Sequence, residues 1–478
     1  MRYTNILCGS VAACLSWAAV WSTAAYADLG DQLFKLLPDD GTADDRFGSS
    51  VAINGTTAIV GAKFGDDYNG SAYLFDLSDL KNPVQIARLL ANDGAVGDRF
   101  GISVAISDPP GKEVAIVGAS RDDDNGNLSG SAYLFDTTTG QQIAKLLPDD
   151  GAADDRFGLS VAISGTTAII GALRDDDNGS LSGSAYLFDT TTGTQIAKLL
   201  PKDGAANDLF GVSVAICGTT AIVGALREDN NNGIESGSAY VFDISDPNNP
   251  VQTAKLLPDD GAAEDWFGNS VAISGDPGKE IVIVGAFRDD DNGSDSGSAY
   301  LFDVKDRNNP VQIAKLLPSD GAEGDFFGGS VSISGPPGEE IAVVGAISDD
   351  ENGFQSGSAY LFDTSTGTQI AKLLSDDGEE FNWFGNSVAI NGHTAIVGAF
   401  GDDDNGIASG SAYLFDAAGA PGKCPWDLDD NAVVGVSDLL SLLASWGRCK
   451  GCPADFDGND DVGVSDLLLL LANWGPCP

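Results

Sequence analysis

GAADDRFGLSVAISGTTAIIGALRDDDNGSLSGSAYLFDTTTGTQIAKLL, the stretch from Gly151 to Leu200, recurs with small changes seven times along the chain. Its Phe-Gly pair falls at Phe47, Phe100, Phe157, Phe210, Phe267, Phe327 and Phe384, in steps of 53, 57, 53, 57, 60 and 57 residues. A period of this size, repeated this often, signals a repeat architecture. Four apolar runs of strand length lie in each unit, here Leu159 to Ile163, Thr167 to Ala172, Ser184 to Asp189 and Gln195 to Leu200.

The first two runs are separated by Ser164-Gly165, with Asn54-Gly55, Cys217-Gly218 and Asn391-Gly392 at the matching places, and such pairs supply the positive φ of a tight hairpin. The other connections are rich in Asp, Asn, Thr and Gly, and no run has a helical period long enough to compete. Four antiparallel strands per unit and seven units predict an all-β fold, a seven-bladed β-propeller. The fourth-strand pattern is missing after Ser411 to Asp416, while an unattached copy, Leu33 to Leu37, precedes the first unit. The N-terminal strand is therefore expected to complete the seventh blade and close the ring, pairing two edges that would otherwise be exposed.

At these residues the chain resembles the FG-GAP repeat family, known from integrin α-subunit propellers and many bacterial surface proteins, and DGAADDRFGLSVAISG looks like the bacterial branch. The resemblance rests on Phe157-Gly158 and Gly171-Ala172 and their counterparts from Leu33 to about Asp416. One departure stands out. The calcium-binding Asp/Asn series of integrin-type repeats lies between the first and second strands, where this chain has a two-residue turn or a Pro-Gly loop such as Asp108 to Lys112.

The 478 residues carry 71 acidic and 25 basic side chains, a net charge of −46. Nucleic acid and anionic membranes are poor partners for such a surface, because phosphate binding depends on Lys and Arg. An acidic, Lys-poor surface also suits a salty habitat. Residues 1–27 read as a secretory signal, with Arg2, an apolar Ile6 to Val20 and an Ala25-Tyr26-Ala27 cleavage site, so the protein is expected to be secreted or held at the cell surface. A lipoprotein signal at Val11-Ala12-Ala13-Cys14 is the rival reading. No later stretch is long and apolar enough to span a membrane. Cys217, placed on a hairpin turn, is an odd thiol where other units carry Ser or Asn.

In an up-and-down blade, the second-to-third loop and the blade-to-blade loop emerge on one face. Both are acidic here. Asp175-Asp176-Asp177-Asn178 has counterparts at Asp122 to Asn125, Glu228 to Asn231, Asp289 to Asn292, Asp349 to Asn352 and Asp402 to Asn405, with a shorter Asp66-Asp67. The candidate acidic face is thus Asp122, Asp124, Asp175, Asp177, Asp289, Asp291, Asp402 and Asp404. Two readings fit it: hard oxygen ligands suited to calcium, or residues that cap their own turns. Asp155 and its counterparts, two residues before each Phe, suit a blade corner equally well.

No catalytic residue is assigned. An active site needs different residues in distinct roles, whereas the charged positions here repeat round the ring. His393 is the single histidine and would be a base standing alone. Trp266, Trp383 and Phe381 are the aromatics that break the pattern on the acidic loops.

After a linker, residues 417–423, the character changes: Cys424 to Cys449 and Cys452 to Cys477 are a tandem duplication. Asp427, Asp429, Asn431, Val433, Gly435 and Asp438 take places 1, 3, 5, 7, 9 and 12 of a loop, as do Asp455, Asp457, Asn459, Asp461, Gly463 and Asp466. That spacing turns alternate oxygens toward one ion, as in an EF-hand. Short helices are expected over Asp438 to Trp446 and Asp466 to Trp474, capped by Ser437 or Ser465 and stopped by Gly447 or Gly475.

Loop plus helix, twice, resembles a type I dockerin, the calcium-dependent module that docks onto cohesin domains. The resemblance implies two Ca²⁺ sites, at Asp427, Asp429, Asn431, Val433 and Asp438 and at Asp455, Asp457, Asn459, Asp461 and Asp466, and partner reading by Val436, Ser437, Val464 and Ser465. It departs at Ala432 and Asp460, in lacking a Ser-Thr pair at the reading places, and in the flanking cysteines. Those cysteines pair most simply within each repeat, Cys424 with Cys449 and Cys452 with Cys477, although four thiols allow three connectivities. The partner is a cohesin-like or other surface protein.

Together these features describe a secreted, non-enzymatic binding or adhesion protein. Its propeller face takes a protein or a carbohydrate, and its C-terminal module docks through calcium. The alternative is a polysaccharide-degrading enzyme or an accessory subunit of a cellulosome-like assembly.

Overall fold

A computed structural model describes residues 29–107, 113–417, 428, 433–448, 454, 461–472 and 475–476. The signal segment, the loop 108–112, the four C-terminal cysteines, and Asp427, Asp429, Asn431, Asp455, Asp457 and Asn459 lie outside these residues.

Residues 29–417 form seven four-stranded antiparallel sheets, each built from consecutive strands except the last. In the third sheet the strands are Ser160–Ser164, Thr167–Ala172, Ser184–Asp189 and Thr194–Leu199. In the seventh, the N-terminal strand Gln32–Leu36 pairs antiparallel with Ser411–Asp416 and completes the blade. The first strand of each blade lines the axis around a 290 Å³ cavity, and the fourth is outermost.

The hairpin turn sits one residue later than the sequence suggested. Ser164 pairs with Thr167, so the turn residues are Gly165 and Thr166, and Gly165 alone is left-handed at φ 57°. A two-residue turn of that form wants glycine first. Cys217 accordingly ends a strand and faces Thr220 across it, and its Sγ–H donates to Gly275 O at 3.2 Å. His393 is the exposed second residue of the corresponding turn in the seventh blade.

The middle strands of a blade, TAIIGA and SAYLFD, are buried on both faces. No blade can hide both alone, so the core lies between neighbours. Ile116, Leu134 and Leu146 of the second blade pack on Phe157, Ile170 and Tyr186 of the third. Phe157 meets Tyr186 and Phe188 edge-on at 5.6 and 5.7 Å, an arrangement favoured by the ring quadrupole.

The paired glycines of the repeat follow from how closely the blades approach. A Cβ on Gly171 would stand 2.0 Å from Gly211 O in the next blade. Gly211 O also accepts the Ser160 Oγ–H at 2.8 Å. Equivalent Ser bonds run from Ser50, Ser103, Ser213 and Ser330. Asn269 Nδ2 reaches Gly328 O, and Asn386 Nδ2 closes the ring on Gly48 O at 3.1 Å.

The C-terminal residues form two nine-residue helices, Val436–Ala444 and Val464–Ala472. Each starts two residues earlier than expected. Val433–Val434 pairs with Gly475–Pro476, and Gly447–Arg448 with Asp461–Val462, so each copy lends its ends to the other. Val434, Leu442, Val462 and Leu470 form the small core.

Candidate binding face

Loop chemistry builds the acidic face one blade at a time. In the third blade Asp175 Oδ1 accepts the Asp177 N–H at 3.1 Å, and Asp176 Oδ1 accepts the Leu181 N–H at 2.7 Å. Ser182 Oγ accepts from Asn178 N–H and donates to Asp175 O, each at 3.1 Å. The Asp-Asp-Asp-Asn run therefore folds onto its own backbone, as side chains of this kind do in turns.

Its outer carboxylates then converge on one lysine. Lys198 Nζ lies 2.9 Å from Asp175, 2.7 Å from Asp177 and 2.8 Å from Asp150 of the preceding blade-to-blade loop. Tyr186 Oη–H reaches the same Asp175 oxygen at 2.9 Å. Lys198 and Tyr186 face each other across neighbouring strands, which places both polar heads at the loop end of the sheet.

The brace recurs round the ring. Lys145 holds Asp122 and Asp124 at 2.9 and 2.6 Å. Lys315 holds Asp289 and Asp291 at 3.0 and 2.6 Å, and Lys35 holds Asp402 and Asp404 at 3.0 and 2.7 Å. In the first blade, where the loop is a short helical turn, Arg88 spans Asp40 and Asp66 instead. Every pair of predicted face residues is thus brought together, with a cation between them.

Asp150, Asp175 and Asp177 converge closely enough to ligate a metal, but Lys198 Nζ already fills the place a cation would take. Burial opposes charging of Lys198, yet the hydrogen bonds it donates to Asp150, Asp177 and Asp175 outweigh it and hold the ammonium above the usual lysine range. Asp175 is likewise penalised by burial, but Lys198 and the Asp177 N–H bring it below the usual carboxylate range. The brace lysine was legible as the single basic residue kept in every fourth strand, at Lys35, Arg88, Lys145, Lys198, Lys255, Lys315 and Lys372.

Asp155 ties the blade corner, its Oδ2 accepting the Ala152 N–H at 2.7 Å. Burial pushes its carboxyl up to about 6, as it does for Asp208, Asp265 and Asp325.

Inside this ring of braces lies the mouth of the axis, and here the repeat breaks. The residue ahead of each Phe-Gly is Arg46, Arg99, Arg156, Leu209, Trp266, Phe326 or Trp383, all left-handed with φ between 52° and 63°. Bulky residues seldom adopt that conformation. Of the aromatics singled out above, Trp266 meets Phe287 at 5.5 Å, and Phe381 meets Trp383 at 6.2 Å. Trp383 in turn lies against Phe400 at 5.0 Å. Phe287 also meets Phe326 at 5.7 Å, so the last three blades present rings along the mouth.

In the C-terminal module, Ser437 and Ser465 are not the helix caps. Gly435 is the N-cap, and Asp438 reaches back to accept its N–H at 2.7 Å while its other oxygen accepts the Leu428 N–H at 2.7 Å. Asp466 accepts the Gly463 N–H at 2.8 Å in the same way. A carboxylate at the third helical position can satisfy the exposed N-terminal donors as well as a serine can. Both aspartates are fully buried, whereas Val436, Ser437, Val464 and Ser465 lie exposed on the first turns. Val436, Leu440 and Leu443, and their copies Val464, Leu468 and Leu471, leave an exposed apolar stripe on each helix.

The architecture defines the protein as a closed seven-bladed propeller scaffold with its variable chemistry on one face. The family model for the FG-GAP repeat matches residues 31–75, 83–135, 141–188, 194–242, 250–302, 310–362 and 368–415, and the chain belongs to that family. Each matched unit begins near the outer strand of one blade and ends in the third strand of the next. No curated protein matches the chain. Propellers of this family are in general non-catalytic, which decides against the polysaccharide-degrading enzyme. Among the described residues no helix is long and apolar enough to cross a membrane.

Proposed function

We propose that the chain is an exported binding or adhesion protein, secreted or held at the cell surface. Its propeller presents the loop face to a protein or a carbohydrate. The observation that carries this reading is the break in the repeat: the outer loops are alike and internally braced, while the mouth residues differ from blade to blade. Binding sites need such differences on a rigid support.

The C-terminal module is read as a calcium-dependent docking unit of dockerin type. Asp427, Asp429, Asn431, Val433 and Asp438 would hold one ion, and Asp455, Asp457, Asn459, Asp461 and Asp466 the other. Calcium supplies a hard cation that ties each loop to its helix. The oxygen-only donor set fits it, and the burial of Asp438 and Asp466 supports the reading. The matching apolar stripes suit a cohesin-like or other surface protein, because unpartnered apolar faces mark interaction sites, and two near-copies permit two docking orientations.

Glycan and protein arrays probed with the full chain, with calcium and with chelator, test both parts. Capture through the propeller persists in chelator, whereas capture through the module disappears. A chain that captures nothing in calcium ends the reading.

A further inference from the structure

Part of the positive charge at the mouth of the ring meets no carboxylate among the described residues. Arg156 and Arg174 share Asp154 at 3.1 Å each, Arg227 lies 3.9 Å from Glu235, and Arg288 lies 3.7 Å from Asp295. By contrast, Arg46, Lys63, Arg99 and Arg121 pair with no carboxylate among the described residues, in a chain with 71 acidic side chains. The Nε groups of Arg99 and Arg121 are buried without a hydrogen-bond partner. Burial, then repulsion from Arg46 and Arg99, lowers the Lys63 ammonium to about 8.

These cations border the aromatic platform. Arg46 lies 5.1 Å from the Phe64 ring and 5.4 Å from Phe400. Lys63 is 4.9 Å from Phe400, and Arg99 is 5.3 Å from Phe64. Trp383 extends the platform from Phe400 into the seventh blade. Like charges crowded into a half-buried site disfavour one another, and a carboxylate between them relieves that cost through charge-assisted hydrogen bonds.

The surroundings narrow the anion. The aromatic rings give an apolar face beside the charge, which an inorganic ion would not use and a sugar ring would. The carboxylates outside the mouth repel a long polyanion lying across the face, so the ligand enters by its end. Resting on the reading of this face as a binding surface, we propose that the mouth over the seventh, first and second blades binds a terminal uronic-acid sugar. Its carboxylate lies among Arg46, Lys63 and Arg99, and its ring lies against Phe400 and Trp383.

Calorimetric titration of the full chain with trigalacturonate tests this, with cellotriose as the neutral probe and triglutamate as the acidic peptide. Trigalacturonate is expected to bind, more weakly as salt is raised, and the other two are not. Arg46→Gln with Arg99→Gln should weaken it at least about tenfold, the loss of one charge-assisted contact, with no fall in Tm. The native chain supplies a readout free of mutation: near about pH 8.5, titration in two buffers of different ionisation enthalpy should show proton uptake as the bound carboxylate recharges Lys63. No binding of trigalacturonate, equal binding by the double variant, equal binding of either comparison probe, or no proton uptake would each overturn the proposal. Capture of a neutral glycan or a protein that persists in chelator, with no binding of trigalacturonate, leaves the face a binding surface and removes the uronate.

Discussion

Lys35 and Asp402 stand 367 residues apart in sequence and 3.0 Å apart in space. Lys35 comes from the N-terminal strand and Asp402 from the last acidic loop, so the seventh brace is assembled from both ends of the ring. Six blades build the same brace from neighbouring segments, but here it also holds the ring closed.

Breaking that pair should cost far more than trimming its rim. Lys35→Met strands the buried Asp402 carboxylate, and loss of one partner of a buried pair costs about 3–5 kcal/mol. Asp404, half exposed on the same lysine, contributes about 0–1 kcal/mol as a surface pair, so Asp404→Ala should be nearly silent. Urea unfolding followed by intrinsic fluorescence measures both. Equal losses would show that burial of Asp402 does not set the energy of the brace.

The close approach of blades makes a second contrast between two glycines of one hairpin. Gly171→Ala drives a methyl group to 2.0 Å from Gly211 O, and backbone on that side has no room to yield. Overpacking of this kind should cost about 3 kcal/mol or more. Gly165→Ala meets nothing within 4 Å but holds φ at 57°, a left-handed penalty of about 1–2 kcal/mol. Tm values of the two variants in the third blade check the order.

Much of this was legible in the sequence because it repeats. Phe-Gly spacing marked seven units, and the spare Leu33 to Leu37 marked the closure. The turn slipped by one residue because Ser164 and Gly165 both look like turn formers, and only pairing of Ser164 with Thr167 separates them. The helices of the last module began early because a serine resembles a cap, while a carboxylate three places in does the work. Lys198 left a mark, one basic residue in every fourth strand, but its role as a brace was not readable, since its partner Asp150 lies 48 residues away and a lone lysine in a strand reads as solvent-facing. The mouth cations were hidden for the opposite reason: the residue ahead of Phe-Gly changes from unit to unit, so no periodic pattern marks it.

Stability should fall from mildly acid to neutral pH. Asp155, Asp208, Asp265 and Asp325 are pushed up to about 6 by burial, against about 3.9 in the unfolded chain. A raised carboxyl pKa means the folded state binds the proton more tightly, so this contribution is full below about pH 4 and is lost as pH rises through about 6. Asp175, Asp260, Asp320 and Asp377 are held low by their lysines after overcoming burial, and they act in the opposite sense, losing their contribution as the pH falls below about 4. The maximum therefore lies between about pH 4 and 6. Replacing the four corner aspartates by Asn, the residue already present at Asn382, should flatten Tm between about pH 5 and 8 and raise it at the upper end. If the variant keeps the native slope, general self-repulsion of the −46 chain, rather than these four groups, governs it.

Calcium should govern the last module and leave the propeller untouched. Two nine-residue helices on a core of a few side chains are too short to hold themselves together. An ion bound at about a hundred times its Kd would add about 2.7 kcal/mol per site. The propeller is braced by its own lysines, so its unfolding should not move with chelator. Calorimetry of the full chain should then show two transitions, with EGTA shifting only the smaller one downward. Asp438→Ala with Asp466→Ala should reproduce that shift in the presence of calcium and abolish partner capture by the module. The double variant also removes two helix caps, so Asp438→Asn with Asp466→Asn, which keeps an acceptor for Gly435 and Gly463 but weakens the hold on a cation, separates the roles. If the Asn pair retains calcium-dependent melting at native strength, Asp438 and Asp466 serve as caps alone and the ion is held by other residues.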